Sequence, residues 1–460
     1  MRPTMRTAFA QMLVLTAIWI AVASAQEAPS VFQSDLSRCG PPPSETEGRS
    51  LRQNLERLKA SARAAELEIQ RLDQKKTPVP TTLQNELRKA QVDALRIMQR
   101  LECADLLKLN DPVARNVATV PTFVQTEVNF VTDRLKDPEQ ARINPRNPYL
   151  YFTGKLDSDF KDFSYGAIAV TIPTRRKPGE LNLPPWWKVV GQGKSDKYFQ
   201  LRGIAEMTKE ALFRDLIVSG ADPESSLLIF VHGFNVTFPE AVMRTAQLAH
   251  DLSFPGKALL YSWPSGGSIV DYWTDEDSVR ISMPRFQHLL ADLMSTGISR
   301  IYIVAHSMGS RIVIPAVANL REERRDLSKV SEMILAAADF NQIEFKELAQ
   351  RFAQMRAAGT DTTIYAASND FALKVSKFVH SYRRLGESDP RLDIYPDLDT
   401  IDASATAPMR RAYGHSYVSD SAQVLGDMQD LIVKRLKPQD RGLDPIPNTS
   451  SRGWRIPRIP

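Results

Sequence analysis

Cysteine is nearly absent from this chain of 460 residues: Cys39 and Cys103 are the only two, too few for a four-thiolate zinc cluster. Charge of one sign is equally scarce. Lysine and arginine total 59 against 54 aspartates and glutamates, so the bulk charge gives no support to a nucleic-acid partner. No internal repeat and no His-Glu-x-x-His motif occurs, which removes solenoid architectures and the helix-borne zinc hydrolases. With 43% apolar and 25% charged residues the composition is that of a soluble globular protein, not of a collagenous, low-complexity or wholly disordered one. At this length the prior is about two to three domains, large enough to bury a core without metal or disulfide staples.

The N-terminus carries one long uncharged run. Arg2 and Arg6 precede Thr7 to Ala25, which is rich in Leu, Ile and Val and closes with Ala23-Ser24-Ala25, the pattern of an export signal with a small-x-small cleavage site. Residues 1–25 are therefore expected to be a signal peptide, with a retained membrane anchor as the alternative. Export implies a periplasmic or secreted protein. An oxidising compartment makes Cys39 and Cys103 a candidate disulfide.

Residues 26–110 predict an antiparallel helical hairpin. Leu51, Leu55, Leu58, Ala62, Ala65, Ile69 and Leu72 alternate steps of four and three, as do Leu83, Leu87, Ala90, Ala94, Ile97, Leu101 and Ala104, so each run forms one stripe of a helix. Thr77-Pro78-Val79-Pro80 breaks the two apart. Ser44 with Glu47 is a candidate capping box. The seams pack on each other or serve a protein partner or self-association.

A boundary falls between residues 110 and 122, and an α/β domain is expected over 118–437. Strands are predicted at 124–132, 166–172, 199–205, 227–231, 258–262, 301–304, 333–337, 362–366 and 392–395, with helices at 239–252, 277–294, 309–321, 345–358, 372–381 and 419–436. Alternation of the later strands with helices means a mainly parallel, doubly covered sheet. Continuous apolar runs such as Leu227-Leu228-Ile229-Phe230-Val231 fit strands buried on both faces. The Pro- and Arg-rich stretch 438–460 is expected to be a disordered tail or a docking strip.

The chemistry falls where one of these strands turns into a helix. In Ile301-Tyr302-Ile303-Val304-Ala305-His306-Ser307-Met308-Gly309 a serine stands between small residues two positions away on either side, the pattern of a nucleophile elbow with Ala305 in place of the usual glycine. A serine hydroxyl is a poor nucleophile at neutral pH. It needs a base, a group that orients the base, and donors for the developing oxyanion. His415, in the loop Tyr413-Gly414-His415-Ser416-Tyr417, is the expected base, because the usual chain order is nucleophile, acid, histidine. His232 precedes the serine and is read as a structural hydrogen bonder, and His380 falls within a predicted helix. Two aspartates compete as the acid. Asp370 follows the penultimate strand and is preferred; Asp339 is the alternative, with a helix cap as its plainer role, and Asp402 is a weaker third choice. The backbone N–H groups of Phe234 and Met308 are the candidate oxyanion donors.

These motifs, Val231-His232-Gly233-Phe234-Asn235, Tyr261-Ser262-Trp263-Pro264-Ser265, Ala305-His306-Ser307-Met308-Gly309 and Gly414-His415-Ser416-Tyr417, resemble the bacterial family of alpha/beta hydrolases of unknown function over roughly residues 120–437. Asn129-Phe130-Val131-Thr132-Asp133-Arg134 resembles the start of that family's domain. The resemblance implies an alpha/beta-hydrolase fold and a serine hydrolase of the esterase or lipase type. Ser307, an acid near Asp370 and His415 stand in the matching positions, and no cofactor is implied.

The remaining signals are weaker. Gly193-Lys194-Ser195 lacks the leading glycine of a phosphate loop, since position 188 is Lys188, and no nucleotide site is assigned there. His250 and His288 have no metal-ligand companions, and no metal site is expected. Trp186, Trp187 and Trp263 line an acyl pocket or pack at the edge of the core. The expected function is an exported serine hydrolase that cleaves an ester, thioester or amide of a small-molecule or lipid acyl substrate. A non-catalytic envelope scaffold, using the hydrolase fold as a platform and the hairpin to bind a partner, is the alternative.

Overall fold

The computed structural model describes residues 44–74, 80–83, 85–86, 89–90, 93, 97, 122–143, 148–183, 197–217, 225–266, 272–370, 373, 376, 382–406, 417–447, 449 and 452–458. The expected signal peptide, both cysteines, Trp186, Trp187, His380 and His415 lie outside them.

Helix α1 (Glu45–Gln74) begins where the sequence places its cap: the Ser44 hydroxyl accepts the Glu47 N–H at 3.2 Å. Leu55 and Ala65 of the expected seam are buried. The described residues between 81 and 97 are helical.

The rest of the chain is built on strands β1 (Phe123–Thr132), β2 (Arg134–Lys136), β3 (Phe152–Leu156), β4 (Ser164–Pro173), β5 (Gln200–Met207), β6 (Ser226–Val231), β7 (Lys257–Ser262), β8 (Arg300–His306), β9 (Val330–Ala336), β10 (Asp361–Ala366), β11 (Asp399–Asp402), β12 (Asp444–Pro445) and β13 (Gly453–Arg455). Eleven of them form one sheet in the order β12-β13-β11-β10-β9-β8-β6-β7-β1-β4-β5, while β2 and β3 make a separate antiparallel pair. From β1 across to β13 every pairing is parallel. β4, β5 and β12 add antiparallel edges.

Helices cover both faces. α2 (Lys209–Leu216), α4 (Tyr272–Met294), α5 (Ser310–Glu322) and α6 (Gln342–Arg356) lie on one side, and α3 (Phe238–Asp251) and α7 (Ala422–Ile432) on the other. The unbroken apolar run of β6 follows from this: Leu227, Ile229 and Val231 enter the first core, Leu228 and Phe230 the second. Each such side chain contributes about 1.5–3 kcal/mol on burial, so the central strands are fixed in register and hold their C-terminal ends still.

Two expectations fail at the far edge. Residues 392–395 are not a strand; Tyr395 packs edge-on against Phe345 at 4.9 Å, and the next parallel strand is β11, four residues further on. Nor are the described residues of the tail disordered. β13 pairs with β11, Trp454 and Ile456 are buried, and the Ile456 N–H donates to the Asp402 carbonyl at 3.0 Å. Proline and arginine suppress a central strand but are tolerated at a sheet edge. Burial of the few apolar residues there supplies the anchoring.

Candidate active site

β6 and β8 are neighbours, with Val231 opposite Ala305, so the two motif-bearing loops leave the same rim side by side. Ser307 lies at the first position past β8 with φ of +52°. A side chain in this left-handed region costs on the order of 1–2 kcal/mol. The surrounding backbone imposes it. A Cβ at Gly309 would lie 2.6 Å from the carbonyl oxygens of Val231 and His232, and one at Gly233 would lie 2.8 Å from the Ser307 Cβ. Glycine at these two positions lets the loop after β6 sit directly against the serine. Ser307 is 4% exposed, Ala305 and Met308 are fully buried, and Ser307–Gly309 form one 3-10 turn leading into α5.

Phe234 is partly buried against the core beside the elbow, and its loop is held from behind. The Arg134 guanidinium donates to the Val236 carbonyl at 2.8 Å, to the Ser265 carbonyl at 3.0 Å and to the Ser262 hydroxyl at 2.8 Å. The Val236 N–H donates to the Ser265 hydroxyl at 3.2 Å, which in turn donates to Asp275 at 2.6 Å. Burial pulls the Arg134 guanidinium down to about 10, with Asp275 and Asp133 opposing. It remains a cation at neutral pH. Sequence reasoning missed this role, although Arg134 closes the Asn129–Arg134 motif, and an arginine at the end of a buried strand is a signal of a paired interior charge.

His232 is the structural histidine expected. It is buried, stacked on Trp263 at 5.0 Å, and donates through Nδ1 to the Gly233 carbonyl at 2.8 Å while Nε2 faces Arg134 at 3.3 Å. Burial, and then the Arg134 charge, push it well below its ordinary value, so it stays neutral. Trp263 donates from its ring to the His232 carbonyl at 2.7 Å and is fully buried. Trp263 therefore packs in the core.

Both candidate acids reach the rim. Asp339 is enclosed by two guanidiniums and a hydroxyl: Arg311 at 2.8 Å, Arg384 at 3.1 Å and Ser376 at 2.6 Å. Its N–H donates to the Ser307 carbonyl at 3.1 Å, and Arg311 also donates to its carbonyl at 2.7 Å. Asp370 is fully buried and accepts the Leu373 N–H at 3.1 Å. Burial, and then the negative charges of Asp370 and Asp402, push the Tyr417 hydroxyl well above its ordinary value. The Tyr417 hydroxyl, two positions past His415 in sequence, donates to the Tyr365 carbonyl at 3.1 Å. Asp402 caps the turn at Ser404, accepting its N–H at 3.0 Å and its hydroxyl, and pairs with Arg455 at 3.7 Å. Among the described residues no group of three or more His, Cys, Asp or Glu is placed to hold a metal ion, and no helix is long and apolar enough to cross a membrane.

A parallel sheet covered on both faces, with a serine on a strained strand-to-helix turn, defines an alpha/beta hydrolase. The chain belongs to the family described as alpha/beta hydrolase of unknown function (DUF900), which matches residues 206–435. It is also similar to an uncharacterized protein of Nostoc sp. (strain PCC 7120), 25% identical over 157 residues, covering 28% of this chain and 40% of that protein. The chain thus spans about two fifths of the length of this curated relative. No solved structure matches.

Proposed function

We propose that this protein is a serine hydrolase that cleaves a carboxylic ester, or a related thioester or amide, through an acyl-enzyme on Ser307. The observation that carries the reading is the left-handed backbone of Ser307, held by Gly233 and Gly309 at the C-terminal end of β8. Strain of this kind persists only where the surroundings enforce it, and here it sets a hydroxyl at the start of a helix beside the loop of Phe234.

In this reading the Ser307 oxygen attacks the substrate carbonyl while His415 takes its proton. The carbonyl oxygen becomes an oxyanion bound by the N–H groups of Phe234 and Met308. Collapse of the tetrahedral adduct breaks the bond to the leaving alcohol, which receives the proton from His415. Water, deprotonated by His415, then attacks the acyl carbon, and the bond to the Ser307 oxygen breaks as His415 returns the proton to it, releasing the acid. Asp370 holds the imidazole, an assignment favoured by the saturation of Asp339 with two arginines. No step calls on a cofactor.

The proposal includes export on the N-terminal signal pattern, and a hairpin formed by α1 and the following run, with Cys39 and Cys103 bridged near its base. A fluorophosphonate probe tests the chemistry. Labelling of the folded protein, lost in Ser307→Ala, is the expected result; no labelling of the folded protein, or labelling that survives Ser307→Ala, removes the proposal and leaves the non-catalytic scaffold.

A further inference from the structure

A cleft of about 490 Å3 opens between α4, α5, the start of α6 and residues 382–384. Its volume lies within the roughly 300–1,000 Å3 range of small-molecule sites. Two of its lining residues are tied to the elbow through the chain or through a neighbour's hydrogen bond. Arg311, in the wall, stands four positions past Ser307 on the helix that the elbow begins, and Phe340 follows Asp339, whose N–H donates to the Ser307 carbonyl at 3.1 Å.

Val279, Met283, Pro315 and Phe340 give the cleft apolar walls. The guanidiniums that line it already have acidic partners: Arg311 pairs with Glu276 and Asp339, Arg384 with Asp339, and the exposed Arg280 with Asp277. A guest carrying its own carboxylate would compete with these pairs and gain little, because Arg311 and Arg384 are engaged in holding Asp339 and Arg280 lies out in solvent, where an ion pair is worth little. An uncharged chain disturbs none of them and gains the burial of its methylenes. Tyr382 is 50% exposed at the border of the cleft, which leaves that side in contact with solvent.

We infer that this cleft is the acyl-chain subsite, and that the preferred substrates are esters of uncharged, medium-length aliphatic acids. The inference rests on the serine-hydrolase reading and adds the substrate class. Each methylene buried in the transition state raises kcat/KM about fourfold.

The test is a series of p-nitrophenyl esters from acetate to dodecanoate, run on the full chain together with the fluorophosphonate probe. For the unaltered protein kcat/KM rises about fourfold per methylene up to at least hexanoate. Met283→Trp, which fills the cleft, lowers the ratio of hexanoate to acetate turnover by about tenfold or more. Tyr382→Ala, at an exposed position that folding tolerates, moves the longest well-accepted chain upward. If the probe labels Ser307 and esters are cleaved, but the chain-length profile is flat or Tyr382→Ala and folded Met283→Trp both leave it unchanged, the subsite is elsewhere and the catalytic reading stands. If the folded protein neither binds the probe nor cleaves any ester, both fall.

Discussion

The loops that leave β9 and β10 reach the same rim, and each ends in a buried aspartate, Asp339 three residues past its strand and Asp370 four past its own. Their surroundings differ. Asp339 spends both carboxylate oxygens on Arg311, Arg384 and Ser376, and the same loop is stitched to its neighbour by the Leu385 and Gly386 N–H groups, each 2.9 Å from a carbonyl at Phe340 or Ala338. Asp370 instead accepts a backbone N–H of its own turn, and its charge adds to burial in raising the Tyr417 hydroxyl. Burial alone does not assign a carboxylate its task; the partners do. The opposite end of β9 makes the same point with the reverse outcome. Glu332 is buried there near Asp361 and Asp399, and burial, then the charge of Asp361, pushes it up to about 8, against the pull of Thr363 and Arg441. It holds its proton at neutral pH.

The sharpest way to break the contrast between the two rim aspartates is Asp370→Asn. On the proposed mechanism kcat for ester cleavage falls by about 10⁴-fold with the unfolding transition little changed, and a larger kcat loss in Asp339→Asn would reverse the assignment. Asp339→Ala leaves two guanidiniums, one of them fully enclosed, without their shared anion. Denaturant titration should show a loss of about 3–5 kcal/mol, whereas a change below ~1 kcal/mol would mean the clamp is ornamental. Glu332→Gln sharpens the comparison with the other end. A carboxyl whose folded pKa is raised favours the folded state fully below about 4.5 and loses that contribution as pH rises through about 8. Stability of the unaltered protein should therefore drop by on the order of 2–4 kcal/mol between pH 5 and pH 9 from this group. Melts at the two pH values should show that much less pH dependence in the glutamine variant; identical pH dependence would place the titration elsewhere.

Much of the central sheet was legible in the sequence because burial on both faces writes itself as unbroken apolar runs, as in Leu227–Val231 and Ile301–Val304. The elbow was legible because the close approach of Val231 and His232 tolerates only glycine at 309, and a small residue on either side of a serine survives as a pattern. The edge was not. β11 reads Asp-Thr-Ile-Asp, with no apolar run to announce it, while Leu392–Tyr395 has the composition of a strand and is used for packing. β13 is a three-residue strand whose parallel partner β11 lies 53 positions earlier, Thr400 opposite Gly453, a pairing invisible to local periodicity. The ionic supports of the site were equally hidden. Arg311 and Arg384 look like ordinary surface charges in one dimension, and only the folded chain brings them to Asp339.

The family's matched span, 206–435, does not coincide with the sheet. β1, which pairs with one side of β7, and β4 precede it, and β13, which pairs with the outer side of β11, follows it. A fragment trimmed to those limits would keep the serine and both rim aspartates yet bare a row of amide and carbonyl groups along each flank, an invitation to intermolecular strand pairing. The smallest unit that keeps these strands paired therefore runs from about residue 122 to residue 458, with cut sites chosen by hydrogen bonding across the sheet and not by sequence likeness.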